Sequence, residues 1–131
     1  MRVIDSSSLV KFFSKEKGWE KVAEIITEGV MTLDLSIKEV ANALWKKTLT
    51  SETKEDVAIK VLSDLVKHEA MLVVNQDKYL IEAFKISIRN KITIYDSLFI
   101  ALAKLNNLEL VTSDRKQYEI AMKEGVNAQL I

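Results

Sequence analysis

Five short apolar runs, RVI, VMTL, MLVV, LELV and AQLI, are spread along the 131-residue chain, and the stretches between them carry helical periodicity. Short strands alternating with helices point to an α/β fold with a mainly parallel central sheet. Trp19, Val22, Ala23 and Ile26 predict a helix over 18–28 that stops at Gly29. Ile37, Val40, Ala41, Leu44 and Trp45 share one face of a helix over 36–49, and Val57 to Val66 mark another. Further helices are expected over 76–89, over 93–105 and in KQYEIAMKEG, which ends at Gly125. Some connections carry two helices, so the chain is no simple doubly wound nucleotide fold. Three glycines and no proline leave little room for a flexible linker, and one domain over 1–131 is expected.

The composition narrows the chemistry. There is no cysteine, which excludes disulfides and thiolate metal sites. Nineteen basic and nineteen acidic side chains cancel, so any nucleic-acid contact rests on a local patch rather than a global field. No apolar run approaches the ~20 residues that span a bilayer, and no apolar stretch of leader length opens the chain, so a soluble, cytoplasmic protein without membrane contact is expected. Neither the phosphate cradle of a P-loop nor that of a dinucleotide fold is present. The D-S-S after the first strand differs from the D-x-D common where an aspartate is a phosphate nucleophile.

The acids carry the functional signal. Parallel sheets gather functional groups at the carboxyl ends of their strands, where strand order reverses. Asp5 and Asp114 both follow predicted strands, and each also reads as a cap or Asx-turn. Asp96 stands beside LFIALA at 98–103, the longest apolar run in the chain. A buried carboxylate needs a partner, and the apolar flanks of Asp96 predict that it lies deep. Thr93 to Asp96 also has capping-box spacing, as does Ser36 to Glu39; on periodicity alone Glu39 reads as a capping residue.

Taken in order, VIDSS at 3–7, KEVANAL at 38–44, IYDSLFIALA at 94–103 and LVTSD at 110–114 resemble the PIN domain family, and most closely the VapC-type ribonuclease toxins of toxin–antitoxin pairs. The resemblance implies a three-layer α/β/α sandwich in which Asp5, Glu39, Asp96 and Asp114 are catalytic and hold Mg²⁺ or Mn²⁺. Ser6, Thr112 and Ser113 match small polar residues of the family pattern, and with Arg115 and Lys116 they are candidate substrate contacts. Some relatives carry a further acid after the fourth. Here Lys116 and Gln117 follow instead, a departure from the pattern of a second metal site. Oxygen donors suit Mg²⁺ and Mn²⁺, and clustered carboxylates repel one another without a cation among them.

The resemblance implies a metal-dependent endoribonuclease with an RNA substrate, an antitoxin partner and a homodimeric state. The alternative is a non-catalytic module that keeps the acids and binds a protein or RNA partner through its helices. Lys11, Lys46, Lys47, Arg89 and Lys91 are further candidates for a phosphate-binding rim, each also readable as a solvated helix-face charge. His68, the one histidine, ends an amphipathic helix and suits a surface position. Trp19 and Trp45 fall on apolar faces and read as core or interface.

Overall fold

The computed structural model describes residues 1–131, and its central feature is one five-stranded sheet. In chain order the elements are β1 (Arg2–Ile4), α1 (Ser6–Phe13), α2 (Trp19–Glu28), β2 (Val30–Leu33), α3 (Leu35–Leu49), α4 (Glu55–Leu65) and β3 (Leu72–Val74). A 3₁₀ turn (Gln76–Tyr79) then leads into α5 (Leu80–Asn90), α6 (Ile94–Asn106), β4 (Leu110–Thr112), α7 (Arg115–Lys123) and β5 (Ala128–Leu130). The expected helix over 76–89 therefore begins one turn late. Asn75 caps that turn by accepting from the backbone N–H of Asp77.

The strands lie in the order β3-β2-β1-β4-β5, and every neighbouring pair is parallel. Alternation along each strand feeds two cores. Val3, Leu33 and Leu110 point to the face covered by α5, α6 and α7. Ile4, Val30 and Val111 point to the opposite face, where Leu9, Val22, Ile25, Val40 and Leu44 of α1, α2 and α3 cover them. The α/β/α sandwich follows from this period of two, with β1 and β4 buried on both sides.

Local chemistry sets the element ends. Gly29 closes α2 at φ +104°, a region that side chains strain to adopt, although a Cβ there would touch nothing. Asp34 opens α3, accepting from the N–H of Leu35 and, across the sheet edge, from that of Gln76. Ser36 donates instead to the Leu33 carbonyl. The capping box expected between Ser36 and Glu39 does not form: Asp34, two residues earlier, takes the cap, and the Glu39 side chain is free of the helix start.

Candidate active site at the carboxyl edge of the sheet

Strand order reverses between β1 and β4, so the crevice above their carboxyl ends is where a parallel sheet offers a site. Asp5 follows β1 directly and caps α1. Its Oδ1 accepts from the Ser8 N–H at 3.1 Å and from the Ser7 hydroxyl at 2.7 Å. Its Oδ2 accepts from the Thr112 hydroxyl at 2.5 Å. Asp5 is 4% exposed. Burial pushes its carboxyl up to about 6, against the hydrogen bonds from Thr112, Ser7 and Ser8, and Asp114 adds a smaller upward push.

The same hydroxyls stitch the two strand ends together. Ser113 donates its backbone N–H to the Ser7 hydroxyl at 2.9 Å, and the Ser8 and Ser113 hydroxyls lie 2.9 Å apart. Asp114 donates its N–H to the Thr112 hydroxyl at 3.1 Å, and its Oδ1 caps α7 by accepting from Lys116 and Gln117. Asp114 is exposed.

Two expectations need correction. Asp96 is exposed, not deep: it lies in the first turn of α6, and unbroken burial begins only at Ser97 and runs to Ala103. The apolar run is the core-filling body of the helix, and Asp96 stands at its wet end above the sheet. Thr93 accepts from the Asp96 N–H at 3.4 Å, so the capping half of that motif is present. Glu39 is not a capping residue. Its Oε1 accepts from the Ser6 hydroxyl at 2.6 Å, across 33 residues of sequence, which turns it toward the Asp5 end of β1.

The four acids feel one another. Although Asp96 is exposed, its carboxyl is partly desolvated, which raises it above its ordinary value; Asp114 raises it further, and Thr93 and Lys116 oppose the rise. Burial likewise raises Glu39, with Ser6 opposing and Asp96 adding to the rise. Repulsion therefore runs from Asp5 to Asp114, on to Asp96 and then to Glu39. No three Asp, Glu or His side chains are drawn tightly enough together to enclose an ion. The donor set nonetheless suits a hard divalent cation. It offers only oxygens, and its mutual repulsion is what a cation relieves.

The candidate substrate contacts divide. Thr112 is fully buried, and its proton is used on Asp5, so it positions an acid instead of meeting substrate. Ser6 and Ser113 are likewise engaged, with Glu39 and with Ser7 and Ser8. Arg115 and Lys116 are exposed in the first turn of α7, and the Lys116 charge reaches Asp96.

Most of the wider rim is used elsewhere. Lys11 donates to the Ile131 carbonyl, and Lys47 pairs with Glu16 and Glu52. Arg89 pairs with Glu124 and Glu82. Lys46 and Lys91 are exposed, and no hydrogen bond or ion pair ties them to the acids. His68 is exposed just past α4, and Trp45 is exposed on α3 instead of filling the core.

Ser7, Ser8 and Gln117 join the site without having been candidates in the sequence, where Gln117 stood out only as a departure from the family pattern. The signal for the first two was three serines directly after an acid. For Gln117 it was an amide three residues after a capping aspartate.

The PIN domain model matches residues 2–123. The chain belongs to the PIN domain family. As a PIN domain it is 31% identical over 120 residues to Ribonuclease VapC3 of Pyrobaculum aerophilum, covering 89% of this chain and 92% of that protein. It is 27% identical over 114 residues to Exonuclease VapC9 of the same organism, covering 87% and 80%.

Solved structures share the fold. PAE2754 of Pyrobaculum aerophilum superimposes with a TM-score of 0.74 at 23% identity, over 97% of this chain and 82% of that one. A toxin–antitoxin complex from Klebsiella pneumoniae gives 0.62 at 19% identity, over 90% of each chain. PIN-domain ribonucleases in general depend on a divalent metal.

Proposed function

We propose that this PIN domain is a divalent-metal-dependent endoribonuclease and the toxin of a type II toxin–antitoxin pair. The observation that supports the reading is the chain of repulsion from Asp5 through Asp114 and Asp96 to Glu39 beside the switch point, with the carboxyls of Asp5, Glu39 and Asp96 pushed up by desolvation and by neighbouring acids. The relative named a ribonuclease, matched over most of both chains, supports the same chemistry. Asp5, Asp96, Asp114 and Glu39 would hold Mg²⁺ or Mn²⁺, which supplies an acidified water and stabilises charge building on the phosphate.

The chain's own residues prepare that site. Thr112 and Ser7 hold both oxygens of Asp5 in place, and Ser6 aims Glu39. Arg115 and Lys116 meet backbone phosphates of the RNA and set its register. The partner in the cell is a cognate antitoxin, a reading supported by the likeness of the fold to a chain of the Klebsiella toxin–antitoxin complex. The working form is a homodimer of 1–131 domains in the cytoplasm. No helix is long and apolar enough to cross a membrane.

The relative named an exonuclease favours a second reading, in which cleavage starts from a chain end. A circular RNA separates the two, because only an endonuclease opens it. Protein freed of antitoxin should open the circle with Mg²⁺ or Mn²⁺ and stop on addition of EDTA. The Asp5→Asn, Asp96→Asn double variant, prepared identically, should be inert. Cleavage that survives EDTA or the double substitution rejects the assignment in favour of a non-catalytic binding module.

A further inference from the structure

Gln117 is a polar side chain only 4% exposed, in the first turn of α7, and it is bonded to two of the acid-bearing residues at once. Its backbone N–H donates to Asp114 Oδ1 at 3.2 Å. Its side-chain Nε2 donates to the backbone carbonyl of Asp96 at 2.9 Å, across 21 residues of sequence. Asp96 and Asp114 sit on different helices, and no other hydrogen bond joins these two helix starts. The cap that Thr93 gives the Asp96 N–H is long, at 3.4 Å, so the Gln117 bond is the closer anchor of the α6 start.

We propose that Gln117 is a positioning residue for the metal site, fixing the separation of Asp96 and Asp114 before a cation arrives. The inference rests on the reading of these acids as cation ligands. Like charges on Asp96 and Asp114 push the two helix starts apart, and the amide opposes them with a bond that needs no cation. A backbone carbonyl has two lone pairs, so that of Asp96 can accept from Gln117 and still serve its own helix. Without the amide, the cation must itself draw the two helices together, and that work is taken from its affinity. Removing a group that orients metal ligands typically weakens binding about 10- to 100-fold.

Gln117→Met keeps the length and flexibility of the side chain and removes the donor. Mn²⁺ affinity of the full chain, measured by competition with a metal-sensing dye, should fall at least about tenfold. The metal-free variant should remain folded by circular dichroism. An unchanged Mn²⁺ affinity in a folded variant overturns the inference and leaves the nuclease reading standing. A wild-type chain that binds no Mn²⁺ and cleaves no RNA removes both.

Should the Met variant fail to fold, Gln117→Ala serves in its place. It removes the donor, keeps a good helix former in the first turn of α7 and adds no charge beside the acids. The same loss of Mn²⁺ affinity is expected, and wild-type affinity in that variant likewise overturns the inference.

Discussion

Thr112 donates its hydroxyl to Asp5 Oδ2 at 2.5 Å, joining the carboxyl end of β4 to that of β1 across 107 residues of sequence. The same oxygen of Thr112 accepts from the Asp114 N–H, so one side chain orients two of the four acids. Replacing it by valine keeps the shape and removes both bonds. Thr112→Val should cost about 1.5–3 kcal/mol of stability in urea unfolding, the range for a hydrogen bond to a charged group. It should also push the Asp5 carboxyl higher still, because the hydrogen bond that lowers it most is gone.

The metal-free protein should be more stable in mild acid than at neutral pH. Asp5 rises from 3.8 to about 6 on folding, so its contribution is fully present below the unfolded value and lost as pH climbs through about 6. A rise of that size corresponds to roughly 3 kcal/mol. Glu39 and Asp96 are also raised and act in the same direction. Glu124 opposes them at the acid end. Arg89, Asn90 and Lys104 hold it down at about 2, so its contribution is present above its ordinary 4.5 and fades toward pH 2. Melting of the EDTA-treated protein should therefore peak at about pH 4, where the rise from Glu124 and the fall from Asp5 cancel. Mn²⁺ should raise the midpoint more at neutral pH than in acid, because ligands must be deprotonated to bind. A melting temperature that rises steadily from acid to neutral pH without metal would contradict the raised carboxyls.

Glu39→Gln separates a site residue from a cap. Ser6 can still donate to the amide oxygen, and Asp34 already caps α3, so stability should hold or rise as one repelling charge leaves. Mn²⁺ binding should weaken and RNA cleavage should fall. A large loss of helix stability with metal affinity intact would return Glu39 to the role its local sequence suggests.

Glu124 ties α5 and α6 to the end of α7, away from the acids. Its carboxylate accepts from Arg89 and Asn90 of α5 and from Lys104 of α6, with its side chain 7% exposed. Glu124→Gln should lower stability by about 1–3 kcal/mol, since several charge-assisted bonds weaken together. RNA cleavage per folded molecule should stay near wild type. A loss of activity without loss of stability would show that the clamp reaches the active edge.

Arg115→Ala tests the phosphate rim. It should raise KM for RNA with a smaller change in kcat, because a phosphate contact outside the metal site positions the substrate. The salt dependence of binding should be shallow in wild type and shallower in the variant, as few phosphates are neutralised by a chain of zero net charge.

Local sequence determined the elements, because strand and helix periods are properties of neighbours along the chain. Val3 and Ile4, or Leu110 and Val111, declare a strand buried on both faces, and acids directly after such strands mark the candidate edge. The order of Asp5, Glu39, Asp96 and Asp114 was likewise legible. The sequence alone could not decide what each acid touches. The capping-box spacing of Ser36 and Glu39 is genuine, yet Asp34 wins the cap, and Glu39 is turned to Ser6 only because α1 and α3 pack together. Asp96 looked buried from its apolar neighbours, but a helix start that overhangs a sheet edge is wet whatever follows it. The bonds from Thr112 to Asp5 and from Gln117 to Asp96 span 107 and 21 residues. They exist because the chain crosses from β3 past β2 and β1 to lay β4 on the far side, an order set by how two apolar faces are covered and not by any local pattern.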